Sequence, residues 1–330
     1  MEQVINYLIL TIVSFVLSGI LFIPFINLLY KLKFQNPENL SKDILGRKTL
    51  FNKLRGHKVG TPVGGGILII AVTLFLVFIH SFLLSSHISW TIIILLTTLF
   101  SFAVLGFIDD IQKFIRIRNK NGSFLRVRYK LAIQLGLSLI ISILLYNFLG
   151  KAVWGLWYIP YATLVIVFFT NAFNITDGMD GLSGGLLLVA LSALGLCAFG
   201  NGDVLVLISI LFGAILAFLY FNVSPARLFM GDTGALAFGA ILAVIALILN
   251  ISLPFFIIGA VFVAEGLSSL LQWGSFVFRN GKRLFKIAPL HHHFQALGWD
   301  EDKVVIRFWL VGIVCALVGL LFSQILVGLW

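Results

Sequence analysis

The chain has 330 residues, 60% of them hydrophobic and 11% charged, with a mean hydropathy of +1.08 and a formal net charge of +10. Those values lie outside the range of soluble globular domains and predict an all-α, polytopic integral membrane protein. They leave no basic soluble domain and so exclude nucleic acid as a partner; the positive charge suits anionic headgroups or phosphorylated substrates at one membrane face.

In chain order, apolar runs at 3–30, 64–84, 90–108, 131–149, 160–174, 183–200, 204–221, 234–250, 254–275 and 306–330 predict about ten transmembrane helices in a single domain, 1–330. The first run lacks a basic leader and a small-residue cleavage site, so it is expected to stay as a helix. Alternate loops fall near 31–63, 109–130, 175–182, 222–233 and 276–305. They hold eight, seven, zero, one and six Lys or Arg, counting Arg307 with the last, which is 22 of the 23 in the chain. Only Lys151 lies on the other side. The positive-inside rule therefore predicts these loops in the cytoplasm and both termini on the extracytoplasmic side. Cys197 and Cys315 fall inside predicted spans, which argues against a disulfide or a thiolate metal site.

Five of the thirteen acidic residues sit in three glycine-flanked motifs: Gly106-Phe-Ile-Asp109-Asp110, Asp177-Gly-Met-Asp180-Gly181 and Met230-Gly-Asp232-Thr-Gly234. Carboxylates next to hydrocarbon are costly and mark function, although Asp beside Gly is also ordinary turn and capping chemistry. All three motifs fall on the predicted cytoplasmic side, so a shared site is the favoured reading. Neighbours on a helix point about 100° apart, so Asp109 and Asp110 should serve different partners. Asn171, Asn174, Asp177 and Asp180 recur every third residue, a row able to read a nucleobase or ribose edge or to bind a cation through water. Asp232 stands between Gly231 and Gly234, where absent side chains should let a metal and a phosphate approach the backbone. Oxygen ligands without Cys favour Mg²⁺ or Mn²⁺ over zinc.

Three further stretches bear on the site. Ala288-Pro-Leu-His291-His292-His293-Phe294 reads as a solvated basic loop, a metal site or a phosphate-binding donor set; consecutive histidines do not converge easily on one ion, which favours phosphate or nucleotide. Lys58-Val-Gly-Thr-Pro-Val-Gly-Gly-Gly66 lacks the Gly-Lys-Ser/Thr ending of a P-loop and reads equally as a flexible start to the second span. Glu265, Ser268, Ser269 and Gln272 form a polar stripe on the ninth span, with interior support expected of Glu265 and a ligand-facing role of Gln272.

Together, Gly60-Thr-Pro with Gly65-Gly66, Gly106-Phe-Ile-Asp-Asp110, Asn171-Ala-Phe-Asn-Ile-Thr-Asp-Gly-Met-Asp-Gly181, Pro225-Ala-Arg-Leu-Phe-Met-Gly-Asp-Thr-Gly234 and Ala288-Pro-Leu-His-His-His-Phe294 occur in an order that resembles the polyprenyl-phosphate hexose-1-phosphate transferases. The triple His followed by Phe is similar to the phospho-N-acetylmuramoyl-pentapeptide branch of that family, and Gly298-Trp-Asp-Glu and Arg307-Phe-Trp309 extend the likeness across the chain. The resemblance implies a ten-span enzyme of the bacterial inner membrane, its active site facing the cytoplasm. It would join UDP-N-acetylmuramoyl-pentapeptide to undecaprenyl phosphate within membrane lipid, with Mg²⁺, giving lipid I and UMP; a homodimer is compatible with it. It also implies roles: Asp232 as Mg²⁺ ligand, Asp109 and Asp110 at the polyprenyl phosphate, and His291 at the diphosphate. Asn171, Asn174, Asp177, Asp180, Asn222, Phe229, Gln272, His292 and His293 would line the nucleotide and sugar site, with Lys58 and Lys130 on phosphate or uridine. Val63-Gly64 and Ala235 depart from the family's usual Thr-Met and Ser, removing a hydroxyl near the nucleotide.

Two alternatives stand beside this. A related enzyme moving N-acetylglucosamine-1-phosphate should lack the triple His. A transporter should place its polar groups near the midplane of paired broken helices rather than at one face.

Overall fold

A long run of Leu, Ile, Phe and Ala in lipid has to satisfy its own backbone, and a helix does so within one segment. The computed structural model describes residues 2–36, 58–84, 89–118, 127–150 and 152–327. Its helices are α1 (Glu2–Lys31), α2 (Gly65–Phe78, continued by π-helical turns to Leu84), α3 (Trp90–Arg118), α4 (Val127–Phe148), α5 (Tyr158–Thr176) and α6 (Leu182–Cys197). They continue with α7 (Gly202–Asn222), α8 (Gly231–Ile248), α9 (Ser252–Ile258), α10 (Ala260–Phe278), α11 (Leu290–Ala296) and α12 (Glu301–Val327). Among the described residues no strand forms, only the isolated bridges Gln35 to Pro62 and Val63 to Phe229.

Eight helices are long and apolar enough to cross a membrane, and α2 and α6 are shorter apolar helices at the places expected for the second and sixth spans. Boundaries differ from the hydropathy reading in three places. α3 continues ten residues past the expected end at 108, so Asp109, Asp110 and Lys113 stand on a helix rather than in a loop. The expected ninth span is two helices, α9 and α10, divided at Gly259, where an added Cβ would lie 3.0 Å from the Phe169 ring and 3.2 Å from the Phe255 carbonyl. α12 starts at Glu301, with two acidic residues in its first turn that favour the positive end of the helix dipole. Hydropathy registers where a helix is apolar, not where it ends. Parts of the expected loops at 37–57 and 119–126, together with Lys151, lie outside the described residues.

The centre of the bundle is α8, whose residues from Thr233 to Ile248 are all buried. It is surrounded by α2, α3 and α5. Small residues make this crowding feasible, as they do wherever membrane helices approach closely. A Cβ on Gly66 would meet Gly234 Cα at 2.4 Å, and one on Gly239 would meet the Phe169 carbonyl at 2.6 Å. α7 packs on α1, α2 and α6, while α12 crosses α6 and α9. There Gly185 lies under Trp309, an added Cβ falling 2.1 Å from the indole. On the outside, Ile12, Ile20, Leu317 and Leu321 are exposed. An apolar belt of this kind suits lipid rather than water. Lys58, Lys130, Asp109, Asp180, Asp232, Asn174, Asn222 and Gln272, by contrast, gather at one end of the bundle, where α4, α6, α8 and α12 begin and α3, α5, α7 and α10 end. A smaller polar group with His80, Ser89 and Asp203 lies where α7 begins.

Candidate active site

Four helix ends build a carboxylate pair. Asp109 and Lys113 are four residues apart on α3 and so share a face. Across from them stand Asp232 in the first turn of α8, Lys130 in the first turn of α4 and Asn174 near the end of α5. Lys130 Nζ lies 2.9 Å from Asp109 Oδ2 and 2.7 Å from Asp232 Oδ2. Lys113 Nζ lies 3.2 Å and 2.8 Å from the same two oxygens. Asn174 Nδ2 donates to the other Asp232 oxygen at 3.3 Å. Two ammonium groups therefore bridge two carboxylates, and Lys113 is half-exposed towards the adjoining cleft.

This donor set fits a hard divalent cation. A positive point charge already rests between Asp109 Oδ2 and Asp232 Oδ2, and Asp110 leaves the local count at three carboxylates against two ammonium groups. Among the described residues, no cluster of three or more His, Cys, Asp or Glu side chains could hold a metal alone. A cation would take one or two carboxylates here and the rest of its oxygen shell from phosphate and water, which is how Mg²⁺ usually binds.

Asp110 faces elsewhere. Its Oδ1 accepts the Asp232 N–H at 2.9 Å, and its Oδ2 accepts the Thr233 N–H at 2.9 Å and the Thr233 hydroxyl at 2.6 Å. The carboxylate thus closes the open amides at the start of α8. Gly231, at φ +81°, makes room for it, since a Cβ there would sit 2.9 Å from Asp110 Oδ2. A side chain at Gly231 would meet Asp110 and one at Gly234 would meet Met230 and Gly66, while Gly231 borders the cleft together with Asp110 and Asp232.

A second charged cluster centres on Lys58. Its ammonium pairs with Asp180 Oδ1 at 2.7 Å and with Glu301 of α12, and it lies 5.9 Å from the centre of the Phe229 ring. Glu301 Oε1 also accepts the Asp180 N–H at 2.9 Å, while Asp180 Oδ2 accepts the Ala226 N–H at 2.9 Å. Asn222 ties the same region together, accepting from Gly181 N–H at 3.0 Å and donating to the Leu228 carbonyl at 2.8 Å. Phe229 holds the glycine stretch, its carbonyl accepting from Gly64 and Gly65 at 3.0 and 2.8 Å. Asp177 accepts from the Ser183 hydroxyl at 2.5 Å.

The three histidines point three ways. His291 is buried, its N–H and Nδ1 lying 3.0 and 2.9 Å from the two oxygens of Glu265, which is itself fully buried on α10. His292 Nδ1 meets Gln295 Oε1 at 2.9 Å, and Gln295 reaches Glu301 at 3.5 Å. His293 Nδ1 accepts the Lys286 N–H at 3.2 Å. The amide of Gln272 lies on the backbone of the loop that follows α10: Oε1 accepts from Leu284 and Phe285 N–H at 3.1 and 2.8 Å, and Nε2 donates to the Phe285 carbonyl at 3.2 Å.

A cleft of about 200 Å³ joins the two charged clusters, with Lys58, Lys113, Asp177, Phe229 and Asp232 on its walls and Phe34 and Phe114 alongside. Asn171 stands apart on α5, donating to Gln134 Oε1 and the Val167 carbonyl at 2.8 Å each. Lys113, which no quoted motif contains, and Glu301, which closes the quoted Gly298-Trp-Asp-Glu stretch, are the participants to which motif reading gives no role. The i, i+4 spacing from Asp109 is a signal for Lys113; Glu301, 243 positions from Lys58, offers none of that kind.

The glycosyl transferase family 4 model matches residues 90–250, the stretch that carries Asp109, Lys130, Asn174, Asp180 and Asp232. The phospho-N-acetylmuramoyl-pentapeptide-transferase of Chloroflexus aurantiacus is 41% identical over 292 residues, covering 81% of this chain and 78% of the relative. Those of Desulforapulum autotrophicum and Brachyspira hyodysenteriae are 38% and 39% identical, each covering 80% of this chain and 80% and 81% of the relative.

Proposed function

The chain belongs to the phospho-N-acetylmuramoyl-pentapeptide-transferase family, and from that premise we propose that it transfers phospho-N-acetylmuramoyl-pentapeptide from its UDP carrier to undecaprenyl phosphate, forming lipid I and UMP. The observation that carries this reading is the pair Asp109 and Asp232, gripped between Lys113 and Lys130 at one end of an apolar bundle. A lipid-borne phosphate and a soluble nucleotide diphosphate repel each other, and cations at the meeting point of lipid and water offset that repulsion.

In the proposed reaction an oxygen of the polyprenyl phosphate attacks the phosphorus bonded to the sugar. The bond from that phosphorus to the bridging oxygen breaks, and UMP leaves with that oxygen. A phosphomonoester with a second pKa near ~6 is largely dianionic at neutral pH, so a strong base is unnecessary. Asp109 orients the nucleophile and takes the proton of its monoanionic form. Lys113 and Lys130 turn from the carboxylates towards the phosphates, and Lys58 neutralises charge on the nucleotide side. Mg²⁺, held by Asp232, would supply further charge stabilisation at the diphosphate when bound. His291, fixed by Glu265, supports the diphosphate region, and Asn174, Asp177, Asp180, Asn222, Phe229, Gln272, His292 and His293 form or brace the nucleotide and sugar side.

In this reading α2 and α6 also cross the bilayer, giving ten spans of a bacterial inner-membrane protein with the site facing the cytoplasm. The 22 basic residues assigned to alternate loops support that orientation. The test is Mg²⁺-dependent UMP release by the detergent-purified protein with undecaprenyl phosphate. Release with UDP-N-acetylmuramoyl-pentapeptide and none with UDP-N-acetylglucosamine is expected; the reverse preference would overturn the assignment.

A further inference from the structure

Asp110 is one residue from Asp109, yet its surroundings give it a different task. We infer that Asp110 is a positioning residue: its carboxylate grips the first turn of α8 and thereby fixes Asp232 against Asp109 and the two lysines, without itself touching substrate. The inference deepens the transferase reading and rests on it.

Three observations carry it. First, both oxygens of Asp110 are committed to α8, to the Asp232 N–H, the Thr233 N–H and the Thr233 hydroxyl, at 2.9, 2.9 and 2.6 Å. The carboxylate binds the backbone of the residue whose side chain forms the pair, so the Asp232 backbone is held from beneath while its side chain faces the lysines. Second, Asp110 borders the cleft and is as buried as Asp109, at 5% and 4% exposed, yet its three hydrogen bonds all run to α8, whereas Asp109 Oδ2 meets the two lysines. Third, the site is shaped around this contact. One turn earlier on α3, a Cβ on Gly106 would fall 2.2 Å from the Asp232 carbonyl, and Gly231 clears the space above Asp110 Oδ2. Gly106 and Asp110 thus form a saddle on α3 that receives the start of α8, while Asp109 points from the same helix towards Lys113 and Lys130. An ordinary cap would stabilise a helix; this one also sets the separation of two carboxylates that share their cations.

The closing experiment uses the full-length protein in detergent and two readouts. Mn²⁺ is the probe for equilibrium binding, measured by loss of the free-ion EPR signal, and steady-state UMP release gives kcat and the KM for each substrate. Thr233→Val removes one partner of Asp110 without touching either carboxylate; Thr233→Ser keeps the hydroxyl; Asp110→Asn replaces an acceptor oxygen by an NH₂ group that faces other donors. We expect Thr233→Val and Asp110→Asn each to weaken Mn²⁺ about tenfold or more and to lower kcat, as loss of the partners that orient a metal ligand does. Thr233→Ser should restore the wild-type affinity, and the KM for undecaprenyl phosphate should stay within about twofold throughout, because that substrate's contacts are untouched. Wild-type Mn²⁺ affinity in Thr233→Val would overturn the inference, whether or not Asp110→Asn folds. So would a rise in the KM for undecaprenyl phosphate, about tenfold or more, confined to Asp110→Asn. Absence of UMP release by the unaltered protein would count against the transferase reading instead; the Mn²⁺ comparison would still decide what Asp110 does.

Discussion

At the residue scale, Asp232 stands where the two lysines and an amide meet. Lys113, Lys130 and Asn174 all converge on its carboxylate. Asp232→Asn removes the charge at nearly constant shape, so turnover should fall about 10³-fold or more while the protein still elutes as a folded species from size exclusion. Activity within a few-fold of wild type would take Asp232 out of the chemistry. The histidines offer a finer test because each has its own partner: Glu265, Gln295 and the Lys286 amide. His291→Ala takes the imidazole from the buried Glu265 carboxylate, leaving it the backbone N–H at position 291, and should cost the most, in both thermal stability and kcat. His292→Ala should chiefly raise the KM for the nucleotide, and His293→Ala should act least. Equal losses that fade with added salt would instead mark a solvated basic loop. The motif positions themselves were legible in the sequence because rare carboxylates stand out in an apolar chain. Their partners were less so. Gln272, expected at the ligand, places its amide on the backbone of Leu284 and Phe285, and sequence gives no measure of which way a polar side chain turns.

Elements meet here through glycine. Gly106 on α3 and Gly66 on α2 each permit backbone contact with the first turns of α8. Gly106→Ala would drive a methyl group into the Asp232 carbonyl, an overpacking that costs about 1–3 kcal/mol. We expect a lower melting temperature and a loss of activity larger than the stability change accounts for, since the displaced backbone carries Asp232. Normal activity with unchanged melting would show that α3 and α8 adjust freely. Hydropathy located the apolar segments well but missed the continuation of α3 to Arg118 and the division at Gly259. Both have local causes that a window average erases. Asp109 and Lys113 lie one turn apart, so charge extends the helix instead of ending it, and Gly259 closes on Phe169 of another helix.

For the whole molecule, the outward apolar belt and the end that carries Asp109, Asp232 and their lysines underlie the proposed orientation, which labelling can check. In a background with Cys197 and Cys315 replaced by Ser, Phe199→Cys lies in the exposed connection between α6 and α7, and Lys282→Cys lies in the exposed loop after α10. A membrane-impermeant maleimide added to intact cells should label the first and spare the second until the membrane is opened. The opposite pattern would invert the proposed topology. The all-helical, membrane-crossing character was the most readable part of the sequence, because long apolar runs report it directly; the distribution of Lys and Arg supplies the orientation that the labelling tests. Pairings between distant segments were the least readable.

The bridge from Lys58 to Glu301 has a consequence in time. The two residues are separated by 243 positions, and α12 also places Trp309 over Gly185. At synthesis rates of ~5–20 residues per second, Lys58 waits roughly 10–50 s for its partner to leave the ribosome. Until then Lys58 lacks one of its two carboxylates, and the Asp180 N–H lacks its acceptor. The cleft is therefore among the last parts of the nascent chain to be completed, and a chain interrupted before its final helix carries every aspartate of the site without its finished wall.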